Sequence, residues 1–307
     1  MSSRTHAPNN AITLARYAEL DEYVRAFARG YLNLLLLVGP PGLQKSRSLK
    51  EAVGTRGVWI EGHATPFGIY RRLWESRNQA IVIDDVDALY SSREGLRILK
   101  SLCQTEPIKT VSWNSETPTL RRDGIPRKFT TVSRVAIIAN EWKTLDRNVS
   151  ALEDRGVCIL FEPTPLEVHL RTGAWFWDQE IFDFLGERLR LFPELSMRIY
   201  RQLSELKEAG IDWRSFALKR ALSGTRLLVA ELKADPTYSS EKERIEAFIA
   251  RGAGSRTTYF AHAKKLRPSE RPPPLTLKSA PPAKPEEALL EARLTDLLAR
   301  ARRWEKN

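Results

Sequence analysis

Short apolar runs recur along the first half of the chain and alternate with longer stretches at helical spacing. The most continuous run, residues 32–38, ends in Gly-Pro-Pro-Gly, and further runs lie at residues 58–60, 80–83, 135–139 and 157–161. Such runs are typical of strands buried on both faces. Because the stretches between them are long enough for crossover helices, the pattern predicts a parallel sheet in an α/β layer structure.

Beyond residue 164 the pattern changes to helices alone. Helical spacing is found at residues 175–191, 196–209, 223–234, 241–250 and 256–266, and also near the amino end at residues 11–29. A second, all-helical region therefore follows the predicted sheet.

A proline-rich segment at residues 267–285 follows the predicted helices. Its seven prolines disfavour both helix and central strand, so an extended linker is expected there. Beyond it, residues 286–307 predict an amphipathic helix with a leucine stripe. Two interpretations stay open for this helix, which could dock onto a client protein or fold back on its own chain.

A candidate phosphate-binding loop follows the first strand. Residues 39–46 match the pattern G-x-x-x-x-G-K-[ST] except that Gln44 stands in place of the second glycine. In this motif backbone N–H groups cradle phosphates, the lysine reaches the outer phosphates and the hydroxyl binds magnesium. Gln44 either takes a less favourable conformation or marks a weakened site. The candidate nucleotide contacts are Gly39, Pro40, Pro41, Gly42, Leu43, Gln44, Lys45, Ser46 and Arg47. A Pro-Gly turn beside a chance Lys-Ser is the alternative.

Two consecutive acids, Asp84 and Asp85, follow the strand at residues 80–83. Ligands of open α/β sheets bind at this carboxyl edge. One acid could hold magnesium, with Ser46 as a second ligand, while the other polarises an attacking water. The alternative is an acidic strand end that turns into solvent.

Two further polar residues lie beside later strands. Asn140 ends the strand at residues 135–139 and could orient a hydrolytic water, although a turn residue is the simpler interpretation. Arg155, in the stretch Leu-Glu-Asp-Arg-Gly, could project toward a neighbouring subunit or be an ordinary surface charge.

These elements, in this order and spacing, resemble the AAA+ P-loop ATPase module over about residues 30 to 235. The resemblance implies ATP and Mg²⁺ as cofactors, with Lys45 and Ser46 at the phosphates and Asp84 as the Walker B acid. It implies Asp85 in the position of the catalytic glutamate and Asn140 as sensor 1. It further implies Arg155 as an arginine finger acting across a homo-oligomer.

Within the helical lid that the resemblance implies, residues 196–200 look like the start of the sensor 2 helix. Arg198 is the chosen sensor 2 residue, and Arg226 is the alternative. Two departures from the AAA+ pattern limit how far the family's activity can be expected of this chain. Gln44 replaces a glycine, and the shorter Asp85 resembles the Asp-Asp pair of some replication initiators. Slow hydrolysis, or ATP used as a switch, is therefore expected.

The expected domains follow from these boundaries: an N-terminal helical segment at 1–30, an AAA+ α/β nucleotide-binding domain at 31–163, a helical lid at 164–236, a helix-turn-helix at 237–266, a linker at 267–285 and a C-terminal amphipathic helix at 286–307.

Net charge changes the picture of the partner. The formal charge is +11, and clustered Lys and Arg gain affinity for polyanions by releasing counterions from phosphates. DNA is therefore the expected partner. The candidate DNA contacts are Arg121, Arg122, Arg127 and Lys128 in a basic loop, and Arg256, Lys264 and Lys265 on the second helix of the helix-turn-helix outline. A solvated loop and a plain helical hairpin are the alternatives.

Location follows from what the sequence lacks. No apolar run approaches the ~20 residues that cross a bilayer, the first ten residues are polar, and Cys103 and Cys158 make no disulfide framework. A cytoplasmic protein without membrane contact is expected. Three functional classes stay open: a DNA-directed ATPase of replication, helicase loading or transposition, a protein-remodelling ATPase, and an assembly factor with little turnover.

Overall fold

A six-stranded parallel sheet forms the centre of the computed structural model. The structure describes residues 10–62, 64–86, 89, 92–115, 118–141, 154–222, 224–266 and 276–277. The strands are β1 (Ile12–Leu14), β2 (Leu34–Val38), β3 (Gly57–Glu61), β4 (Ala80–Asp84), β5 (Lys109–Ser112), β6 (Lys128–Thr131), β7 (Val135–Ala139) and β8 (Val157–Phe161). The order in the main sheet is β1-β8-β2-β7-β4-β3, while β5 and β6 make a separate antiparallel pair.

Strand β2 lies inside the sheet between β7 and β8, and all five of its residues are buried. Successive side chains of a strand point to opposite faces, so Leu35 and Leu37 join one core, whereas Leu34, Leu36 and Val38 join the other. This two-sided burial explains the continuous apolar run in the sequence. The parallel sheet and the five predicted strands are confirmed.

The helices of this part cover both faces of the sheet. They are α1 (Tyr17–Arg29), α2 (Lys45–Val53), α3 (Pro66–Glu75), α4 (Arg93–Leu102) and the short α5 (Pro118–Arg122). Helices α1 and α2 pack into the core of Leu35, and α3 and α4 pack into the core of Leu34.

The amino end differs from the expected helix over residues 11–29. Residues Ile12–Leu14 form β1, which pairs in parallel with β8 so that Ile12 lies opposite Ile159. Helix α1 begins only at Tyr17. Three residues are too few to show a strand period, and the pairing with a distant segment decides their conformation.

The lid helices are α6 (Pro165–Thr172), α7 (Gln179–Gly186), α8 (Arg198–Glu208) and α9 (Trp213–Ala221). The helix expected at residues 175–191 is shorter than its apolar spacing indicates. The Asp178 carboxylate accepts a hydrogen bond from the Ile181 N–H at 3.1 Å and caps the first turn of α7. An aspartate in this position starts a helix rather than continuing one.

The last three described helices, α10 (Thr225–Ala234), α11 (Glu241–Ala250) and α12 (Arg256–Leu266), share a small core of their own. Phe248 of α11 and Tyr259 of α12 are fully buried in it, with ring centroids 5.4 Å apart. Gly252 and Gly254 have φ of +68° and +138° in the turn between α11 and α12, where a side chain would be strained.

The linker at 267–285, apart from Thr276 and Leu277, and the C-terminal helix at 286–307 lie outside the described residues. Within the described part, no helix combines the length and apolar character needed to cross a membrane.

Candidate functional site

A cleft of about 460 Å³ lies at the carboxyl edge of the sheet, between the sheet and the lid. Its lining residues are Gly42, Leu43, Gln44, Lys45, Ser46, Arg47, Asp84, Asp85, Ile138, Asn140, Trp175, Met197, Arg198 and Arg201. The structure therefore brings together residues predicted from four separate sequence positions. Gly39, Pro40 and Pro41 begin the same loop but are not among the lining residues.

Two glycines of the loop are required by close contacts. A Cβ on Gly39 would lie 2.4 Å from the Phe161 carbonyl oxygen, and one on Gly42 would lie 2.0 Å from Ser196 Oγ. Gly42 also has a φ of +79°. The loop is thus held against β8 on one side and against the lid on the other.

Gln44 takes a left-handed conformation, with φ 60° and ψ 19°, directly before α2. The expectation that Gln44 takes a less favourable conformation therefore describes the structure, since the glutamine has a backbone conformation that glycine adopts freely. A non-glycine residue in this region costs about 1 kcal/mol or more.

Lys45 is buried, and its ammonium group is held by several oxygens. Nζ donates to the carbonyl oxygens of Gly39 and Pro40 at 2.6 and 2.8 Å, and to Asn140 Oδ1 at 3.3 Å. Burial lowers the pKa of Lys45 to about 8, against the opposing pull of the two acids, Asp85 and Asp84. A phosphate group at this position would favour the charged form.

Asp84 and Ser46 make a donor set suited to magnesium. Burial is the main cause that raises the pKa of Asp84, while a hydrogen bond from the Ser46 side chain acts in the opposite direction. Hydroxyl and carboxylate oxygens suit Mg²⁺, which usually keeps water and phosphate ligands as well. No group of three or more His, Cys, Asp or Glu side chains that could hold a metal ion occurs among the described residues, so these two residues would hold Mg²⁺ jointly with a nucleotide.

Asp85 and Asn140 are joined by a hydrogen bond from the asparagine Nδ2 to the Asp85 Oδ2 at 2.9 Å. Because Asn140 Oδ1 also accepts from Lys45, the amide bridges the phosphate-loop lysine and the second acid. Asp85 is exposed and has a φ of 49°, a left-handed backbone conformation that ends the strand.

The lid contacts the loop through the start of α8. The Met197 N–H donates to the Gly42 carbonyl oxygen at 3.0 Å, and Arg198 lines the cleft. Arg226, the alternative, is exposed on α10 and is not among the lining residues.

Four lining residues, Ile138, Trp175, Met197 and Arg201, were not predicted as site residues. The guanidinium of Arg201 lies 5.7 Å from the Trp175 ring centroid, and the indole Nε1 is buried without a hydrogen-bond partner. Helical spacing could have indicated Arg201, because it lies three residues after Arg198 on one helix face. The sequence carries no comparable signal for Trp175.

Arg155 lies two residues before β8, at the edge of the sheet opposite the cleft. Its Nη1 donates to the Lys100 carbonyl oxygen at the end of α4, at 3.2 Å. At about 3.3 Å per strand residue, the length of β8 separates Arg155 from its own loop by roughly 20 Å. The structure therefore does not bring Arg155 into the cleft of its own chain.

The basic loop at residues 120–128 is partly regular. Arg121 and Arg122 end helix α5 and Lys128 begins β6, which corrects the expected loop. Arg122 pairs with Asp123 at 2.9 Å, and Arg127 is exposed in the turn between the two elements. Pro118 is the first residue of this short helix, a position in which proline is common.

Arg256 and Lys264 are exposed on α12, the second helix of the predicted helix-turn-helix. The Lys265 side chain lies outside the described residues.

Comparison with known proteins gives few close matches. No family model matches the chain. A curated relative, the "Uncharacterized 36.7 kDa protein in nrdC-mobD intergenic region" of Enterobacteria phage T4, is 26% identical over 134 residues, which is 41% of this chain and 41% of the relative. The chain thus spans less than half of the length of this relative.

Solved structures of low sequence identity align with most of the chain at TM-scores below 0.5. Cdc6p from Pyrobaculum aerophilum has a TM-score of 0.46 at 13% identity over 87% of this chain and 89% of that chain. NtrX from Brucella abortus in complex with ADP has a TM-score of 0.43 at 13% identity over 81% of this chain and 68% of that chain. Katanin has a TM-score of 0.38 at 15% identity over 84% of this chain and 85% of that chain.

Three features agree with the AAA+ resemblance drawn from the sequence. They are the strand order, the position of the loop after β2 and the position of the acids after β4. The helical lid follows the sheet and contacts the loop, as the same resemblance requires. A parallel sheet flanked by helices and followed by a helical region is the architecture that the sequence resemblance to the AAA+ module implies.

Proposed function

We propose that this chain binds ATP with Mg²⁺ in the cleft and uses ATP binding and hydrolysis to drive or switch its assembly on DNA. The observation that carries the proposal is the bridge made by Asn140, which contacts both the phosphate-loop Lys45 and Asp85. A lysine for phosphates and an acid for water then lie on opposite sides of one amide, an arrangement suited to phosphoryl transfer.

Each residue has a role in this proposal. Lys45 and the backbone N–H groups of residues 39–46 bind the phosphates, and α2 begins directly behind them with its positive end. Ser46 and Asp84 hold Mg²⁺, which would neutralise charge on the phosphate oxygens. Asp85 accepts a proton from the attacking water, and Asn140 orients that water.

Positive charge from two arginines stabilises the transition state in the proposed mechanism. Arg198 acts from the lid of the same chain and Arg155 acts from a neighbouring copy, because the structure keeps Arg155 away from its own loop. The active form would therefore be a homo-oligomer. Gln44 and the short Asp85 favour slow turnover.

DNA is the proposed partner because of charge and placement. The chain has a net charge of +11, and Arg256 and Lys264 are exposed on the second helix of a compact helical pair. Arg121, Arg122, Arg127 and Lys128 are a second candidate contact region near β6.

The test is ATP hydrolysis by the full chain, alone and with single-stranded or duplex DNA. Stimulation by DNA supports the proposal. Stimulation by a client protein and not by DNA supports protein remodelling instead, and nucleotide binding without turnover supports an assembly factor.

Nucleotide binding is tested separately with Lys45→Ala and a matched control, Lys50→Ala. Both lysines lie on α2, but Lys50 is exposed, outside the cleft and paired with Glu61. Lys45→Ala should lose binding of a fluorescent ATP analogue, while Lys50→Ala keeps it. Unchanged affinity in a folded Lys45→Ala protein would refute the phosphate-loop assignment.

A further inference from the structure

One face of α12 is exposed along its length and combines cations with apolar groups. Arg256, Thr257, Phe260, Ala261 and Lys264 are exposed. Their spacing of one, four, five and eight residues after the first places them on one side of a helix. We call this set the α12 face.

The opposite side of α12 fixes the helix to its neighbours. Tyr259 is fully buried, and its hydroxyl donates to Glu241 Oε1 on α11 at 3.2 Å. His262 Nε2 and the Thr225 hydroxyl on α10 lie 3.1 Å apart. The α12 face is therefore presented by a helix that is held to α10 and α11, so the direction in which the face points is fixed.

The chemistry of the α12 face is basic and apolar at once. Helix α12 contains no Asp or Glu. Phe260 is 44% exposed between Arg256 and Lys264, and the Arg256 guanidinium lies 5.7 Å from its ring centroid. Phe260 thus places an exposed apolar surface between two cations, and a partner that offers both negative charge and apolar groups would complement this set.

Duplex DNA supplies both in its major groove. The groove is wide enough for an α-helix, its walls are phosphates, and each thymine presents a methyl group that apolar side chains such as Phe, Ala and Thr can contact. A single strand is recognised instead by several aromatic platforms, whereas the α12 face carries one exposed ring. We propose that the α12 face enters the major groove of duplex DNA, with Phe260 packed against thymine methyl groups and Arg256 and Lys264 near phosphates.

This inference rests on the DNA-binding part of the proposed function and names the contact that gives it selectivity. Removing the thymine methyl, by replacing thymine with uracil, should weaken binding while leaving the phosphates and base-pair hydrogen bonds in place. Burial of one methyl-sized group corresponds to about a fourfold change in affinity.

The experiment uses the full chain and two 30-base-pair duplexes, alternating dA-dT and alternating dA-dU. The unmodified protein should bind the dT duplex at least about fourfold more tightly. Phe260→Ala should reduce this ratio to about one by weakening binding to the dT duplex only, with the dependence on salt unchanged. The matched control, Ile249→Ala, removes a similarly exposed apolar side chain from α11 and should keep the ratio.

The outcomes separate failure of this contact from failure of the function. Equal binding of both duplexes, or a ratio that persists in Phe260→Ala, overturns the methyl contact while DNA binding stands. Tighter binding of a single strand, or a Phe260→Ala change in sedimentation of the DNA-free protein, also overturns it, the latter in favour of a protein contact. If the unmodified protein binds ATP but no DNA at low salt, the DNA-binding proposal falls together with this inference.

Discussion

At the scale of single residues, Gln44 keeps the left-handed backbone conformation of the motif position although glycine is the usual residue there. The left-handed backbone of Gln44 is needed because the loop turns into α2 at this point. Glycine takes that conformation without steric cost. The backbone of the loop therefore follows the expected course, and the replacement of glycine by Gln44 lowers the stability of the fold.

This cost makes a prediction for Gln44→Gly. Relief of the left-handed strain should raise the free energy of unfolding by up to about 1 kcal/mol, since glycine loses some of the gain through its larger unfolded-state entropy. Urea unfolding at neutral pH measures the change. Gln44→Ala retains the strained backbone and should give no stabilisation. If both variants have equal stability, strain at Gln44 is not the cause.

A second prediction at this scale concerns Asp85. Its carboxylate accepts from Asn140 and faces the cleft. Asp85→Asn removes a proton acceptor without changing size, so ATP should still bind. Single-turnover hydrolysis should slow at least about tenfold, since a general base typically contributes about 10²- to 10⁴-fold to the rate. Asp123→Asn, which changes a carboxylate outside the cleft, is the control. Full turnover in Asp85→Asn would place the base elsewhere.

At the scale of elements, the lid is held together by a buried histidine. His169 on α6 stacks on Phe182 with ring centroids 3.8 Å apart, and its Nδ1 lies 2.8 Å from the Tyr200 hydroxyl on α8. Only 2% of the residue is exposed, and this burial lowers the pKa of His169 to about 4. The neutral imidazole thus joins three lid helices.

The pH dependence of stability follows from that pKa. The unfolded chain binds the His169 proton near pH 6.5 and the folded chain near pH 4, so the unfolded state binds more protons in between. Stability should therefore be full above about pH 6.5 and fall by up to about 3 kcal/mol as the pH drops toward 4.

Urea unfolding at pH 7 and pH 5 tests this with His169→Gln. Glutamine can keep a hydrogen bond to Tyr200 but does not titrate, so the variant should lose less stability between the two pH values than the unmodified protein. An equal loss in both proteins would assign the effect to other groups.

The elements also show what the sequence could and could not predict. The central strands were predictable because a strand covered on both faces must be apolar throughout, as Leu34–Val38 shows. Strand β1 was not, because three residues carry no period and their conformation comes from pairing with β8. The cleft residues near the motif followed from strand ends, whereas Trp175 enters the cleft through lid packing, which local sequence does not encode.

At the scale of the whole molecule, the position of Arg155 predicts cooperation between copies. The residue lies at the amino edge of the sheet, so a neighbouring copy is needed for it to reach a phosphate. Arg155→Ala and Lys45→Ala proteins should each be inactive alone. Mixed together they should regain part of the ATPase activity, because one supplies the intact loop and the other the arginine.

Co-assembly of the two variants, shown by sedimentation of the mixture, is the control for this experiment. A mixture that co-assembles without recovered activity would refute the role of Arg155 across subunits. Lys45→Ala mixed with a doubly substituted Lys45→Ala, Arg155→Ala protein should stay inactive in either case.

The hydrogen bond between the Met197 N–H and the Gly42 carbonyl oxygen has a kinetic consequence. Gly42 also approaches Ser196 closely, so the loop and the lid pack directly against each other. Lid motions of this kind occur in microseconds to milliseconds and often govern product release. For the proposed ATPase, the rate at which this contact opens would limit how fast ADP leaves the cleft.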